Sequence, residues 1–428
     1  MSQEPTEAYA KAASGGAGSP VRESGPLPSL ANRVFSAEKL LLARMMDSLG
    51  NPPLELVLWD GQEIASLEKS ALGRVLIRDH GALLKLIANP ELGFGEMFTA
   101  GRIEVQGNLV DCLEAIYRAL PPAGQGQIGQ KLLAPFNAPS RNSQTKARRN
   151  IQHHYDIGND FYRLWLDRDM VYTCAYFPDP AMGLEEAQVA KLDYVCRKLR
   201  LAPGETVLET GCGWGALALH MARHYGVTVK AYNISKEQIA YARERARAED
   251  LDGRVQFIED DYRNAEGEFD AFVSVGMLEH VGVDQYQALG AIINRCLKEG
   301  GRGLIHSIGR NRPSPMTPWI ERNIFPGACP PSLSQMMQIF EPFNFSVLDV
   351  ENLRLHYAKT LEHWLARYEA NAGRVAEMFD ASFVRAWRLY LAGSVAAFRS
   401  GDMQLFQVIF NRSGQNGIAW TRQYLYAT

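Results

Sequence analysis

Gly211, Gly213 and Gly215 alternate in the run Val207-Leu-Glu-Thr-Gly-Cys-Gly-Trp-Gly-Ala216, between an apolar stretch of strand character and the helical pattern Ala216-Leu-Ala-Leu-His-Met-Ala-Arg223. Glycines let a backbone turn sharply and come close to a ligand, with the N–H groups of the following helix pointing at it. In a βαβ unit that arrangement holds nucleotide-like cofactors. The spacing is G-x-G-x-G, not the G-x-G-x-x-G of dinucleotide binders, and Glu209 stands just before it. Twenty-two residues beyond Gly211, where nucleotide binders generally place an acid for the ribose hydroxyls, stands Asn233. An amide bonds a hydroxyl less strongly than a carboxylate does. A third apolar run ends in Asp260, Asp261 and Tyr262. Either acid alone reads as a solvated strand end, but in this position an acid and an aromatic could hold an adenine.

Strands are predicted at 206–210, 227–233, 255–259, 269–275 and 302–308, with helices between them. Strand alternating with helix is the pattern of an α/β fold with a doubly wound, mostly parallel sheet, whose ligands sit at the carboxyl ends of the strands. Ser235-Lys-Glu-Gln238 has the form of a capping box opening the next helix. Seven prolines between 310 and 345 predict an irregular insertion of the kind that covers a ligand cleft. Upstream, residues 34–120 carry the signals of a smaller α/β domain: Leu54-Glu-Leu-Val-Leu-Trp59, Arg74-Val-Leu-Ile-Arg78 and a helical Ala82-Leu-Leu-Lys-Leu-Ile87. Residues 121–149, with Arg141, Lys146, Arg148 and Arg149 and no nearby acids, read as a linker, and residues 150–428 as the main domain.

The chain has 428 residues, enough for two domains, and its net charge of −3 carries no basic excess, which argues against nucleic acid as a partner. Cys112, Cys174, Cys196, Cys212, Cys296 and Cys329 form no C-x-x-C pair and read as reduced thiols in a cytoplasmic protein, with no metal site. No apolar run reaches the roughly 18 residues of a membrane span. Leu389-Tyr-Leu-Ala-Gly-Ser-Val-Ala-Ala-Phe398 reads as a buried helix, and residues 1–33 as a disordered tail without the basic start or apolar core of a signal peptide.

The glycine turn with its preceding acid resembles S-adenosylmethionine-dependent methyltransferases. Further segments narrow the likeness: His154-Tyr-Asp-Ile-Gly-Asn-Asp-Phe-Tyr162, Tyr172-Thr-Cys-Ala-Tyr-Phe177, Gly276-Met-Leu-Glu-His-Val-Gly282, His306-Ser-Ile-Gly309, His356-Tyr-Ala-Lys-Thr-Leu-Glu-His-Trp364 and Gln404-Leu-Phe-Gln-Val-Ile-Phe410. Together they resemble the cyclopropane-fatty-acyl-phospholipid synthases, a family that includes enzymes acting on mycolic acids. The resemblance covers nearly all of 150–428 and, more loosely, 50–115 through Glu91-Leu-Gly-Phe-Gly-Glu-Met-Phe-Thr-Ala-Gly101.

The resemblance implies a Rossmann-like methyltransferase domain joined to a small N-terminal lipid-binding domain. It implies addition of the S-adenosylmethionine methyl across a cis double bond of a phospholipid acyl chain, with bound bicarbonate as the base. The family's bicarbonate ligands fall on Cys174, Glu279, His306, Tyr357 and the backbone of Ile308. Its S-adenosylmethionine contacts fall on Tyr172, Thr173, Gly211, Gly213, Asn233, Gln238, Asp261 and Tyr262, beside Glu209 of the turn. The implied partners are unsaturated acyl chains at the membrane surface, the implied place is the inner face of the membrane as a peripheral protein, and a homodimer is left open. The chemistry agrees with these residue types. Methylating an alkene leaves a carbocation, which needs negative potential and π faces such as those of Tyr155, Phe161, Tyr162, Tyr172, Tyr176 and Trp364. Glu279 makes sense beside an anion if it accepts the bicarbonate hydroxyl.

Departures from the family pattern are Thr173 for the usual Ser, Glu209 for Asp, Asn233-Ile-Ser235 for Thr-x-Ser, and Ser394 where many relatives carry cysteine. The chemistry needs no enzymic nucleophile, so position 394 reads as structural. A ring, a methylene branch and a methyl branch all stay open as products, and a lipid-binding protein without catalysis is the rival from another class.

Overall fold

The computed structural model describes residues 30–64, 71–120 and 157–426, with side chains from residue 38 onward. His154, Tyr155, the four basic residues of the expected linker and most of the expected N-terminal tail lie outside the described residues.

The first unit contains α1 (Leu30–Ser48), β1 (Leu54–Val57), β2 (Glu63–Ile64), β3 (Gly73–Ile77), α2 (His80–Ala88), α3 (Pro90–Thr99), β4 (Ile103–Gly107) and α4 (Leu109–Ala119). Helix α1 begins at Leu30, inside the segment expected to be tail. The sheet runs β2-β1-β3-β4, with β1 and β3 parallel and both edges antiparallel. Alternation of apolar residues along β3 (Val75 and Ile77 buried) seats it on α2, whose N-cap Asp79 accepts from the Ala82 N–H.

The second unit contains α5 (Asn159–Arg163), α6 (Leu184–Leu199), β5 (Thr206–Thr210), α7 (Ala216–Tyr225), β6 (Thr228–Asn233), α8 (Lys236–Ala248), β7 (Val255–Glu259), β8 (Phe269–Val275), α9 (Tyr286–Cys296) and β9 (Leu297–Gly309). It continues with α10 (Pro318–Asn323), α11 (Leu333–Phe340), β10 (Phe345–Asn352), α12 (Arg354–Ala370), α13 (Ala372–Met378), α14 (Ala381–Ser400) and β11 (Gln404–Arg412). Its sheet order is β10-β11-β9-β8-β5-β6-β7, parallel from β9 to β7 and closed by two antiparallel strands. The order reverses at β5, so the glycine turn after β5 opens at the switch point where such sheets bind ligands.

Two expectations need correction. The proline-rich insertion is irregular over 311–317 and 324–331 as expected, but short helices interrupt it: Pro318 occupies the first turn of α10, where its missing N–H costs nothing. Ser332 and Gln335 form a closed capping box on α11. At Ser235 only half of the expected box exists. The Ser235 hydroxyl accepts from the Gln238 N–H, but the Gln238 side chain turns to Asn233 instead of the cap backbone.

The small unit is fastened to the insertion and to α14. A Cβ on Gly95 of α3 would stand 2.3 Å from Trp319 Cγ, so only glycine admits that indole. Arg385 of α14 donates to the carbonyls of Phe98 (2.6 Å) and Ile103 (2.9 Å) and lies over the Phe98 ring. Helix α14 buries nearly every side, as expected for 389–398.

Candidate active site

Strand β5 ends at Thr210 and the chain turns through Gly211, Gly213 and Gly215, all with positive φ. A Cβ on Gly211 would meet Met277 Cβ at 2.8 Å, so the turn is pressed against the loop after β8. At Gly213, φ is +53° and a Cβ would enter open space, which is the cradle expected of a site that admits a ligand against bare backbone. Asn233 braces the turn: its Nδ2 donates to the Gly213 carbonyl (3.3 Å) and to Gln238 Oε1 (2.8 Å). The Asn233 oxygen accepts from the Ser235 N–H (3.2 Å), so the amide expected to face a ribose is also a strut between two strand ends. After β7, buried Asp261 accepts from the Arg263 N–H (3.0 Å), and the Tyr262 ring lies beneath the Arg263 guanidinium.

Beneath the turn, Glu209 is fully buried and its Oε2 has no hydrogen-bond partner. Burial pushes its carboxyl up, against the pull of the Lys191 ammonium. Thr173 packs its methyl against Gly276, where a Cβ would stand 2.7 Å away. The Tyr172 and Tyr390 hydroxyls meet at 2.8 Å. These residues fit an adenosyl amino acid: a glycine cradle, polar struts at three successive strand ends, and an open acceptor at Glu209.

The second group adjoins the first through Gly276, whose N–H donates to the His306 carbonyl (2.9 Å). Glu279, in a short 3-10 turn after β8, accepts from Ser307 Oγ (3.0 Å) at one oxygen and faces the Ile308 N–H (3.5 Å) with the other. Burial raises its carboxyl to about 7, only partly offset by those bonds. His306 lies within β9, opposite Gln407 of β11 in register. The Gln407 amide nitrogen stands 2.9 Å from Nδ1; as donor there it leaves the ring proton on Nε2. Burial holds His306 well below its usual range, so the ring is neutral. Cys174 is wholly buried, its thiol donating to the Ala175 carbonyl, and burial pushes that thiol far up. A thiol so protected from ionising is a donor or a packing group, not a nucleophile. The adjacent Ala175 N–H donates to Thr360 on α12 (3.0 Å), one turn beyond Tyr357.

Around both groups stand buried aromatic rings. Phe161, Tyr162, Tyr172 and Trp364, expected from the sequence, are joined by Trp165, Trp214, Trp387 and Tyr390, which were not. Tyr357 reaches this wall through Trp364 and Phe398. Tyr176 does not belong to the wall; it stacks on Tyr194 and His356 at 4.1 and 4.9 Å. The insertion covers the second group: the Cys329 N–H donates to the Glu279 carbonyl (2.7 Å), and Phe325 meets Tyr390 edge-on. Ser307, Gln407 and Lys191 were missed by sequence reasoning, although Ser307 and Gln407 sit inside quoted motifs. Among the described residues no cluster of three or more His, Cys, Asp or Glu could hold a metal.

Residues 142–408 match the family described as mycolic acid cyclopropane synthetase. The chain belongs to that family. Residues 41–121 match a separate domain of unknown function. The chain is 36% identical to a probable fatty acid methyltransferase of Pseudomonas putida over 87% of its length and 96% of the relative's. It is 38% identical to the cyclopropane-fatty-acyl-phospholipid synthase of Escherichia coli over 83% and 92%. Among solved structures, mycolic acid cyclopropane synthase CmaA1 complexed with SAH and CTAB superposes with a TM-score of 0.59 at 32% identity, covering 62% of this chain and 98% of that one. This member of the family is an S-adenosylmethionine-dependent methyltransferase with a Rossmann-like sheet.

Proposed function

We propose that this methyltransferase adds the methyl carbon of S-adenosylmethionine to the cis double bond of an unsaturated phospholipid acyl chain and closes a cyclopropane ring. The observation that carries the reading is a glycine cradle set directly beside buried, neutral hydrogen-bond donors and a wall of aromatic rings. S-adenosylmethionine, held by Tyr172, Thr173, Glu209, Gly211, Gly213, Asn233, Gln238, Asp261 and Tyr262, supplies the methyl group when bound. Bicarbonate, held by Cys174, Glu279, His306, Tyr357 and the Ile308 backbone, supplies a small base where a free side-chain carboxylate is costly to bury.

The chain's own groups suit those tasks. Neutral His306 presents an N–H, the Tyr357 hydroxyl adds a donor, the Cys174 thiol would have to turn from the Ala175 carbonyl to add another, and Glu279 is the acceptor that orients an acidic hydroxyl. The faces of Tyr162, Tyr172, Trp165 and Trp364 stabilise positive charge on carbon. Their burial keeps out the water that would trap it. The unit formed by residues 34–120 serves as the lipid-binding domain, and the enzyme works as a peripheral protein on the cytoplasmic face of the membrane. No described helix is long and apolar enough to cross it.

The name of the Pseudomonas relative, a fatty acid methyltransferase, is compatible with a second reading, in which the same cation loses a proton without closing the ring and leaves a methylene branch or a methyl-bearing double bond. A saturated methyl branch would need a further hydride donor. Proton NMR of phospholipids from a host expressing the chain separates the outcomes. Ring-methylene signals support cyclopropane formation, vinylidene signals support the second reading, and an unchanged lipid profile contradicts both.

A further inference from the structure

Helix α6 crosses behind the segment that carries Tyr172 and Thr173, and two of its residues, one turn apart, grip that segment. Gln188 Nε2 donates to the carbonyls of Thr173 (2.9 Å) and Val171 (3.3 Å). Lys191 Nζ donates to Thr173 Oγ1 (2.9 Å). Both side chains are almost wholly buried. A lysine buried at 2% exposure is costly and needs a reason. Burial lowers its ammonium to about 8, against the pull of the Asp167 carboxyl, so it stays charged at neutral pH.

The donor count decides what the contact does. An ammonium has three N–H donors and no acceptor, so in this bond Thr173 Oγ1 must be the acceptor. The hydrogen of the Thr173 hydroxyl is then left to donate elsewhere, and no acceptor for it is present among the described residues. Thr173 is pinned by Gly276 against the loop whose next residue, Met277, covers Gly211 of the cradle. A hydroxyl so fixed, with a positive charge directly behind it, suits an anionic acceptor on the cradle side.

We propose that Lys191 is a positioning residue of the cofactor site, turning the Thr173 hydroxyl hydrogen toward the carboxylate of the amino-acid part of S-adenosylmethionine. The bond between Lys191 and Thr173 thus selects a cofactor that carries a carboxylate over one that ends at the thioether. Failure of the lipid assignment leaves this inference standing, because its test measures cofactor binding alone.

The test is calorimetric titration of the purified full chain with two probes, S-adenosylhomocysteine and 5′-methylthioadenosine, which share the adenosine and the thioether but differ in the amino-acid part. Lys191→Met is expected to weaken S-adenosylhomocysteine by about tenfold or more, the scale of a lost charge-assisted hydrogen bond, and to leave 5′-methylthioadenosine unchanged. Thr173→Val, nearly isosteric, is expected to give the same selective loss, and the double variant no more than either single one. Where Lys191→Met does not fold, Thr173→Val carries the test alone. Equal weakening of both probes would show Lys191 to be a structural prop and overturn the proposal. Normal S-adenosylhomocysteine affinity in folded Thr173→Val overturns it as well.

Discussion

Two residues distinguish the proposed cofactor half of the site from the proposed base half. Gly213 has a backbone conformation that strains any side chain, and its Cβ position opens into the cradle. Gly213→Val is therefore expected to abolish S-adenosylhomocysteine binding in a protein that still melts cooperatively, and calorimetry checks it; unchanged affinity contradicts the cradle. Glu279 makes no contact with the glycine turn, so Glu279→Gln is expected to keep cofactor affinity while turnover falls by about 100-fold or more, as when a positioned proton acceptor is lost. The sign of its pH dependence follows from burial. The carboxyl is protonated below about 7 and accepts most strongly when ionised, so wild-type activity is expected to rise as pH climbs through about 7. His306 is held neutral and adds no limb in that range. A rate profile in which Glu279→Gln keeps the wild-type rise would assign that limb to another group.

Among the elements, α3 and α10 meet in a close joint. Gly95→Ala puts a methyl into the Trp319 ring, and overpacking of this kind costs about 1–3 kcal/mol. Urea unfolding is expected to show that loss, and Trp319→Ala in the same chain is expected to relieve part of it. The parallel strands were legible in the sequence because each is a short apolar run ended by a polar residue or a glycine. Observed β5, β7 and β8 coincide with the predicted strands and β6 differs by one residue, whereas β9 begins at Leu297, five residues before the predicted 302–308. The helices within the insertion were missed because proline breaks an element only in its interior, and Pro318 falls at a helix start. Gln407 and Lys191 were invisible for a different reason. Their partners, His306 and Thr173, are 101 and 18 residues away, and only strand register and helix packing bring them together.

For the molecule as a whole, the glycine turn, the strand order and the family pattern made the methyltransferase legible, while the aromatic wall was only half visible. Trp387 and Tyr390 share α14 one turn apart, but Trp165 comes from a segment more than 200 residues upstream, so no local spacing marks the three as one surface. The proposed membrane contact would draw on Arg141, Lys146, Arg148 and Arg149, which lie outside the described residues. Reversible binding to anionic vesicles is expected at about 1 kcal/mol per basic residue near the surface, weakening with added salt. Sedimentation indifferent to salt and to lipid charge contradicts it. The most direct test of the central claim supplies S-adenosylmethionine labelled with carbon-13 in its methyl group to the purified chain, with vesicles of a cis-unsaturated phospholipid and bicarbonate. Carbon NMR of the extracted lipid is expected to place the label in a ring methylene, and label in a vinylidene or methyl carbon, or none in the lipid, would contradict ring formation.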